Sequence, residues 1–219
     1  MKRIVFHFDF ISPFAYLAWT QIRQLAGRHG AALELVPTLF AALLAEGKTK
    51  GPAEIPAKRR YFFRDAFRTA HLLGVPIAMP PSHPFNPLLA LRIASLPLER
   101  GEREAAITAL FDAIWAKGEG LESQEQVISA LNAAGLDGSS LVERAPQAKE
   151  TLRLATEDAI AHHVFGVPTM RVIEGDEEEL FWGVDSFGHL ERYLAGQDPL
   201  RGRDLQQLLE RPASANRRA

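Results

Sequence analysis

The sequence predicts an α/β fold in which strands near both ends of the chain flank a long helical block. Residues 3–10 alternate as a strand does, and a helical pattern and a short apolar strand follow, which makes a β-α-β unit. From about residue 39 to residue 141 the apolar spacing is almost wholly helical. Strands are expected at 3–10, 32–37, 169–173 and 179–182.

Helices are predicted at 13–29, 56–73, 84–95, 102–116, 123–134, 146–163 and 185–195, with a further candidate at 204–210. Glycine and proline breakers such as Pro80-Pro81 separate the helices of the central block. We therefore divide the chain into one α/β domain made of residues 1–38 and 146–196, and a helical insertion made of residues 39–145. Residues 197–219 are expected to form a partly disordered C-terminal extension.

Composition excludes several classes of function. The 219 residues are 47% hydrophobic and carry a net charge of −2, which gives no reason to expect nucleic acid or an anionic membrane as a partner. The sequence has no cysteine, so disulfide bonds and cysteine-based catalysis are excluded. Met1-Lys2-Arg3 leads directly into a strand, unlike a signal peptide or a membrane span, and we expect a cytoplasmic protein.

Ser12-Pro13 follows the first strand and predicts an exposed strand-to-helix turn. Serine is a preferred N-cap residue and proline suits the first helical position. The free N–H groups and the positive end of the helix dipole would then favour an anion, such as a thiolate, above Ser12. A plain helix start explains the same two residues, and this motif alone does not decide between the two interpretations.

Three segments carry a resemblance to a known family. Residues 8–18 (FDFISPFAYLA), 165–169 (FGVPT) and 181–185 (FWGVD) resemble the bacterial 2-hydroxychromene-2-carboxylate isomerases, which are relatives of the kappa-class glutathione transferases. Residues 58–68 and 84–92 resemble further segments of that family. The resemblance spans nearly the whole chain and implies a DsbA-like fold, in which an all-helical domain interrupts a thioredoxin-like domain.

The resemblance also implies glutathione as the cofactor. In the family, the serine that matches Ser12 holds the glutathione sulfur, and the backbone at the positions of Val167 and a cis Pro168 pairs with the cysteinyl part. The aspartate that matches Asp185 holds the γ-glutamyl amine, for which a carboxylate is a suitable partner. An ordinary N-cap of the last helix is the alternative for Asp185.

Two positions depart from the family pattern. Lys48 stands near the place where the family often has Gly-Asn, and its ammonium group could pair with a glutathione carboxylate. Ser186 follows Asp185 where the family tends to have arginine, so a hydroxyl replaces one cationic contact. We expect an altered cofactor site that includes both residues.

Tyr61 and Asn86 are the candidates for substrate binding. Tyr61 lies on a charged helix, which is usually only solvated, and Asn86 could equally cap the next helix. His7 and Asp9 alternate with phenylalanines, and a polar strand face explains them. His162 and His163 lack a neighbouring set of ligands with metal spacing, so no metal site is expected.

The function implied by the resemblance is a glutathione-dependent isomerase that acts on a small aromatic carboxylate and forms a homodimer. A kappa-like glutathione transferase is the first alternative, because it would share the same sequence features. A catalytically idle thioredoxin-fold protein that binds a peptide at the cis-proline edge is the second. Retention of Ser12 argues against an idle protein, whereas the loss of arginine at Ser186 argues for it.

Overall fold

A computed structural model of the chain describes residues 1–203 and 211–212. A four-stranded sheet lies at its centre in the order β2-β1-β3-β4. Strand β1 pairs in parallel with β2 and antiparallel with β3, and β3 pairs antiparallel with β4 at the sheet edge. The strands are β1 (Arg3–Phe8), β2 (Ala32–Pro37), β3 (Thr169–Glu174) and β4 (Glu177–Trp182). The predicted helix at 204–210 and most of the C-terminal extension lie outside the described residues.

The helices follow the predicted order. They are α1 (Pro13–Arg28), α2 (Phe40–Glu46), α3 (Pro56–Leu73), α4 (Leu88–Ala94), α5 (Arg100–Phe111), α6 (Gln124–Ala133), α7 (Gly138–Arg144), α8 (Lys149–Ala161) and α9 (Phe187–Leu194). Helix α3 has the predicted limits, since Pro56 begins it and Gly74 ends it with a φ of 64°. The short helices α2 and α7 were not predicted.

Two helices of the insertion differ from the prediction. Helix α4 begins at Leu88 instead of residue 84, and the Asn86 amide oxygen accepts the Leu88 N–H just outside the helix. The His83-Pro84 peptide before it is cis. The segment after α5 continues as a π-helical turn over Asp112–Ala116. Hydrophobic spacing predicts neither feature, because both depend on local hydrogen bonds.

One face of the sheet packs on the main hydrophobic core. Phe6 and Phe8 on β1 point to this face, and their rings contact Trp19 of α1. Phe111 of α5 packs against Phe8 and Phe10 with ring centroids 5.8 and 4.7 Å apart. Aromatic side chains from the strand, from α1 and from the helical insertion therefore share one core.

The opposite face of the sheet carries polar side chains, as the alternation predicted, and it is buried, which the alternation did not predict. His7, Asp9 and Arg171 are each less than 9% exposed. Helices α2 and α8 cover this face, with a small apolar cluster formed by Leu43, Ala159, Val164 and Val167. Strand alternation distinguishes the two faces but does not reveal that α8, far along the chain, covers the second one.

Residues 1–203 and 211–212 contain neither a membrane-spanning helix nor a cluster of metal ligands. None of the helices described there is long and apolar enough to cross a membrane. Over the same residues, no group of three or more His, Cys, Asp or Glu side chains is placed to hold a metal ion.

Candidate active site

Ser12 connects the start of α1 to the turn that faces it. Its Oγ accepts a hydrogen bond from the Ala15 N–H at 3.2 Å, which is the predicted N-cap. The same hydroxyl donates to the Val167 carbonyl at 3.4 Å, a long contact. The hydrogen bond that the hydroxyl donates is therefore weak, and the O–H can rotate towards a stronger acceptor.

The turn that carries Ser12 is not exposed, contrary to the prediction. Ser12 is 7% exposed, because Val167 faces it across the site. Trp115 of the insertion also reaches the turn and donates from Nε1 to the Phe10 carbonyl at 2.8 Å. A group bound at Ser12 would thus be partly shielded from water, which strengthens electrostatic interactions.

The facing turn is built from Gly166, Val167 and Pro168. The Val167–Pro168 peptide is cis, as predicted. Among the described residues, the Val167 N–H has no hydrogen-bond partner. Gly183 donates its N–H to the Pro168 carbonyl at 2.9 Å and so ties the turn to the end of β4. Val167 therefore presents a free backbone donor beside Ser12, as pairing with an extended peptide would need.

Aromatic side chains border the facing turn on its outer side. The rings of Phe165 and Trp182 lie 5.1 Å apart, and the two residues are 57% and 55% exposed. A side chain at Gly166 would meet the Trp182 indole, since a Cβ there would lie 2.6 Å from its Nε1. Trp182 is thus a surface residue, whereas Trp115 is a core residue.

Asp185 lies in a single 3-10 turn before α9 and is exposed. Its Oδ1 would collide with a Cβ at Gly183, so the carboxylate folds over that glycine. Within the described part of the chain the carboxylate accepts no hydrogen bond, and Ser186 is the N-cap residue of α9. Asp185 is therefore not the N-cap of α9, which was the alternative interpretation, and its carboxylate is free for a ligand.

Ser186 and Lys48 are placed differently from Asp185. The Ser186 hydroxyl donates to the Gly183 carbonyl at 2.7 Å and so closes its own turn. Lys48 is exposed in the loop after α2 with a φ of 48°. Its ammonium group makes no ion pair with any residue in the described ranges.

A cavity of about 370 Å³ lies beside the start of α1. Its apolar walls come from Phe14, two residues after Ser12, and from Phe62 of α3, whose rings are 5.2 Å apart. The remaining lining residues are Pro52, Ala57, Lys58, Tyr61 and Asp65. Walls of this kind suit an aromatic ligand in general, and Lys58 and Tyr61 add a cation and a phenol to the lining.

Tyr61 therefore lines the cavity, as its candidacy requires, whereas Asn86 does not. The Asn86 amide oxygen accepts from the Leu88 N–H at 3.1 Å and caps α4. Sequence reasoning did not select Phe14 and Phe62 for this cavity. Phe14 directly follows the Ser12-Pro13 signature, and Phe62 follows Tyr61, so proximity to both candidates was the available signal.

Asp9 and His7 lie behind the site on the polar face of the sheet. Asp9 accepts from the Ile11 N–H at 3.1 Å and from the Phe40 N–H at 2.9 Å. Burial raises the pKa of Asp9 from 3.8 to about 7, although these N–H groups act against the shift. Burial, with Arg171 second, lowers the pKa of His7 from 6.5 to about 4.

The comparisons with known proteins agree with this architecture. The family model for a DSBA-like thioredoxin domain matches residues 3–195. A 2-hydroxychromene-2-carboxylate isomerase of Sphingobium xenophagum is 32% identical over 199 residues, which cover 88% of this chain and 98% of that protein. Glutathione S-transferase kappa 1 of Caenorhabditis elegans is 25% identical, over 93% of this chain and 95% of the relative.

A solved structure of a 2-hydroxychromene-2-carboxylate isomerase superimposes with a TM-score of 0.75 at 29% identity. The match covers 89% of this chain and 95% of that one. The predicted thioredoxin-like domain with a helical insertion is thereby confirmed. This chain belongs to the DsbA-like thioredoxin family, in the branch that holds the 2-hydroxychromene-2-carboxylate isomerases.

Proposed function

We propose that the protein is a glutathione-dependent isomerase. It interconverts 2-hydroxychromene-2-carboxylate and trans-o-hydroxybenzylidenepyruvate, or a related aromatic acid. The observation that carries this proposal is the position of the Ser12 hydroxyl, at the start of α1 and opposite Val167, beside an aromatic-walled cavity. The isomerases named among the relatives support the reaction class, and the kappa transferases support glutathione.

The free groups of the site fit glutathione. The Val167 N–H and the Asp185 carboxylate have no partner in the described residues, and a peptide amide and an ammonium group are what they would bind. Lys48 is proposed for a glutathione carboxylate. Ser186 is proposed as a weaker contact, because its hydroxyl must first leave the Gly183 carbonyl.

The open benzylidenepyruvate form of the substrate contains an enone. When bound, glutathione supplies a thiolate that adds reversibly to this enone and so turns a fixed double bond into a rotatable single bond. Ser12 stabilises that thiolate with its O–H and is not itself the nucleophile. The positive end of the α1 dipole also stabilises the thiolate. The chain therefore acts by lowering a thiol pKa and by alignment.

The cavity beside α1 is proposed to hold the aromatic acid. Phe14 and Phe62 would pack on its ring, while Tyr61 and Lys58 would bind its carboxylate at the rim. Asn86 was the second substrate candidate, and it can serve only if its amide gives up the cap of α4. Tyr61 is therefore the stronger of the two candidates.

Glutathione titration and a turnover assay test the proposal together. We expect saturable calorimetric binding at or below millimolar glutathione, and isomerisation that requires glutathione without consuming it. Absence of binding would leave an idle thioredoxin-fold protein. Binding without isomerisation of the aromatic acid would reject the reaction.

The kappa transferase relatives favour one other activity, a glutathione transfer in which the thiolate stays on the electrophile. Counting free thiol during turnover separates the two activities. An isomerase returns all of its glutathione, whereas a transferase removes one thiol for each product formed. We also propose a cytoplasmic homodimer, with residues 1–38 and 146–196 as its glutathione-binding domain, and light scattering measures the dimer mass.

A further inference from the structure

Two side chains of the helical insertion hold the backbone just before Ser12. Trp115 donates to the Phe10 carbonyl at 2.8 Å, and the His83 ring lies with Nε2 2.9 Å from the Ile11 carbonyl. The Ile11 N–H is held in turn by Asp9. Both polar groups of the residue before Ser12 are therefore bound by side chains, one from each part of the fold.

The contact with Ile11 fixes the protonation of His83. A carbonyl oxygen only accepts, so Nε2 must carry the proton, and Nδ1 of a neutral ring is then an acceptor. His83 Nδ1 is buried and has no partner among the described residues. Burial also lowers the pKa of His83, although the hydrogen bond to Ile11 acts against this shift, and Arg59 adds to it. The ring is thus a neutral donor with one defined tautomer.

His83 also contacts the residues that form the cavity wall. Its ring lies 6.3 Å from Phe62 and 5.1 Å from Phe63, measured between centroids. Phe62 packs on Phe14, and both line the cavity next to Ser12. One side chain thus touches the aromatic wall on one side and the Ser12 turn on the other.

We propose that His83 is a positioning residue for the thiolate site, which acts by holding the Ile11 carbonyl and so orients the Ser12 hydroxyl. The inference rests on the proposed function and deepens it. The peptide between Ile11 and Ser12 is planar, so rotation of the Ile11 carbonyl also displaces the Ser12 N and Cα. Hydrogen bonds weaken steeply with poor alignment, so a small rotation reduces the contact with a thiolate.

Two substitutions separate the donor from the ring. His83→Phe keeps an aromatic ring and removes the N–H, whereas His83→Gln removes the ring and keeps an N–H near the position of Nε2. We expect His83→Phe to raise the pKa of bound glutathione, measured by thiolate absorbance, by about one unit. Its kcat near neutral pH should fall about tenfold, with a smaller change in KM for the aromatic acid. His83→Gln should keep a thiol pKa and a kcat close to those of the wild type.

His71→Phe is the matched control, because His71 is exposed on α3 of the same insertion. It should leave the thiol pKa and kcat as in the wild type. If His83→Phe does not fold, His83→Leu takes its place in the same comparison. Failure of both to fold beside a folded His83→Gln would overturn the proposal in favour of a purely structural donor.

The outcomes separate this inference from the proposed function. If the wild-type protein does not bind glutathione, both the proposed function and the role of His83 are rejected. A wild type that lowers the glutathione pKa, with the same pKa in His83→Phe, removes the role of His83 alone.

A tautomer measurement tests the geometry without any ligand. Long-range proton–nitrogen NMR spectra of the wild type should show His83 protonated at Nε2 and bare at Nδ1 at neutral pH. A proton on Nδ1 would contradict the bond to Ile11, and with it the proposal.

Discussion

On the two central strands, one face of the sheet consists of aliphatic and aromatic side chains, whereas the opposite face buries His7, Thr169 and Arg171. Both faces are closed to water, so burial alone does not distinguish them. The first face is stabilised by apolar area, which is insensitive to pH. The second depends on hydrogen bonds and on protonation states, and it reaches the site through Asp9.

Partners on the polar face are specific. The Thr38 hydroxyl donates to the Val36 carbonyl at 3.1 Å, so it can only accept from His7 Nδ1 at 3.1 Å. Arg171 lies within salt-bridge distance of Asp158 and Glu178. We therefore expect the aromatic face to set most of the stability, and the polar face to set how stability varies with pH.

The largest expected effect is on the aromatic face. Phe8 is fully buried, and Phe8→Ala should lower the free energy of unfolding by about 4 kcal/mol, from lost transfer energy and a cavity. Urea denaturation measures this loss, which should be the same at pH 5 and pH 8. Leu154→Ala, at a residue 51% exposed, is the control and should change stability by about 0.5 kcal/mol at most. A strongly pH-dependent loss for Phe8→Ala would break the contrast between the faces.

The next largest effect is expected for Asp9→Asn, which should change how the free energy of unfolding varies with pH. Because the folded pKa of Asp9 is raised from 3.8 to about 7, its contribution to stability is complete below pH 3.8 and is lost as the pH rises through 7. The variant lacks this loss, so its stability relative to wild type should rise by about 3 kcal/mol from pH 4 to pH 7. Denaturation across that range measures the slope, and a flat difference would mean that Asp9 is ionised throughout.

His7→Asn should give a slope of opposite sign. The folded pKa of His7 is lowered from 6.5 to about 4, so its contribution is present above pH 6.5 and is lost as the pH falls through 4. Relative to wild type, the variant should gain about 3 kcal/mol between pH 7 and pH 4. NMR titration of His7 checks the cause directly, and a pKa near 6.5 would refute it.

Ser12→Ala should affect stability least and activity strongly. Losing the N-cap should cost about 1 kcal/mol. Losing the thiolate contact should lower the glutathione-dependent rate by roughly one to two orders of magnitude near neutral pH, with partial recovery at higher pH.

Ser123→Ala is a matched control for that experiment, because Ser123 caps α6 through the same type of bond, from Gln126 N–H at 3.2 Å. It should cost similar stability without loss of rate. Wild-type turnover and an unchanged pH profile in Ser12→Ala would reduce Ser12 to a helix cap.

The sequence predicted the fold and the two facing turns well, because their signals are local. Ser12-Pro13 and Val167-Pro168 identify a helix start and a facing turn within a few residues each. The burial of His7 and Asp9 was not predicted, since it depends on α8, which is distant from them in the chain. His83 was missed for a similar reason, because its contact with Ile11 joins residues 72 positions apart.

Among residues 1–203 and 211–212, no strand pairs with the outer edge of β4, and an open edge is a template on which a second chain can add a strand. The strand begins with Glu177, Glu178 and Glu179, of which Glu178 lies within salt-bridge distance of Arg171. Two such edges brought together would therefore set Glu177 and Glu179 of one chain against the like charges of the other. This repulsion disfavours the edge-to-edge pairing of chains through the sheet. For the proposed dimer this means that its interface should lie away from this edge, on a surface without that repulsion.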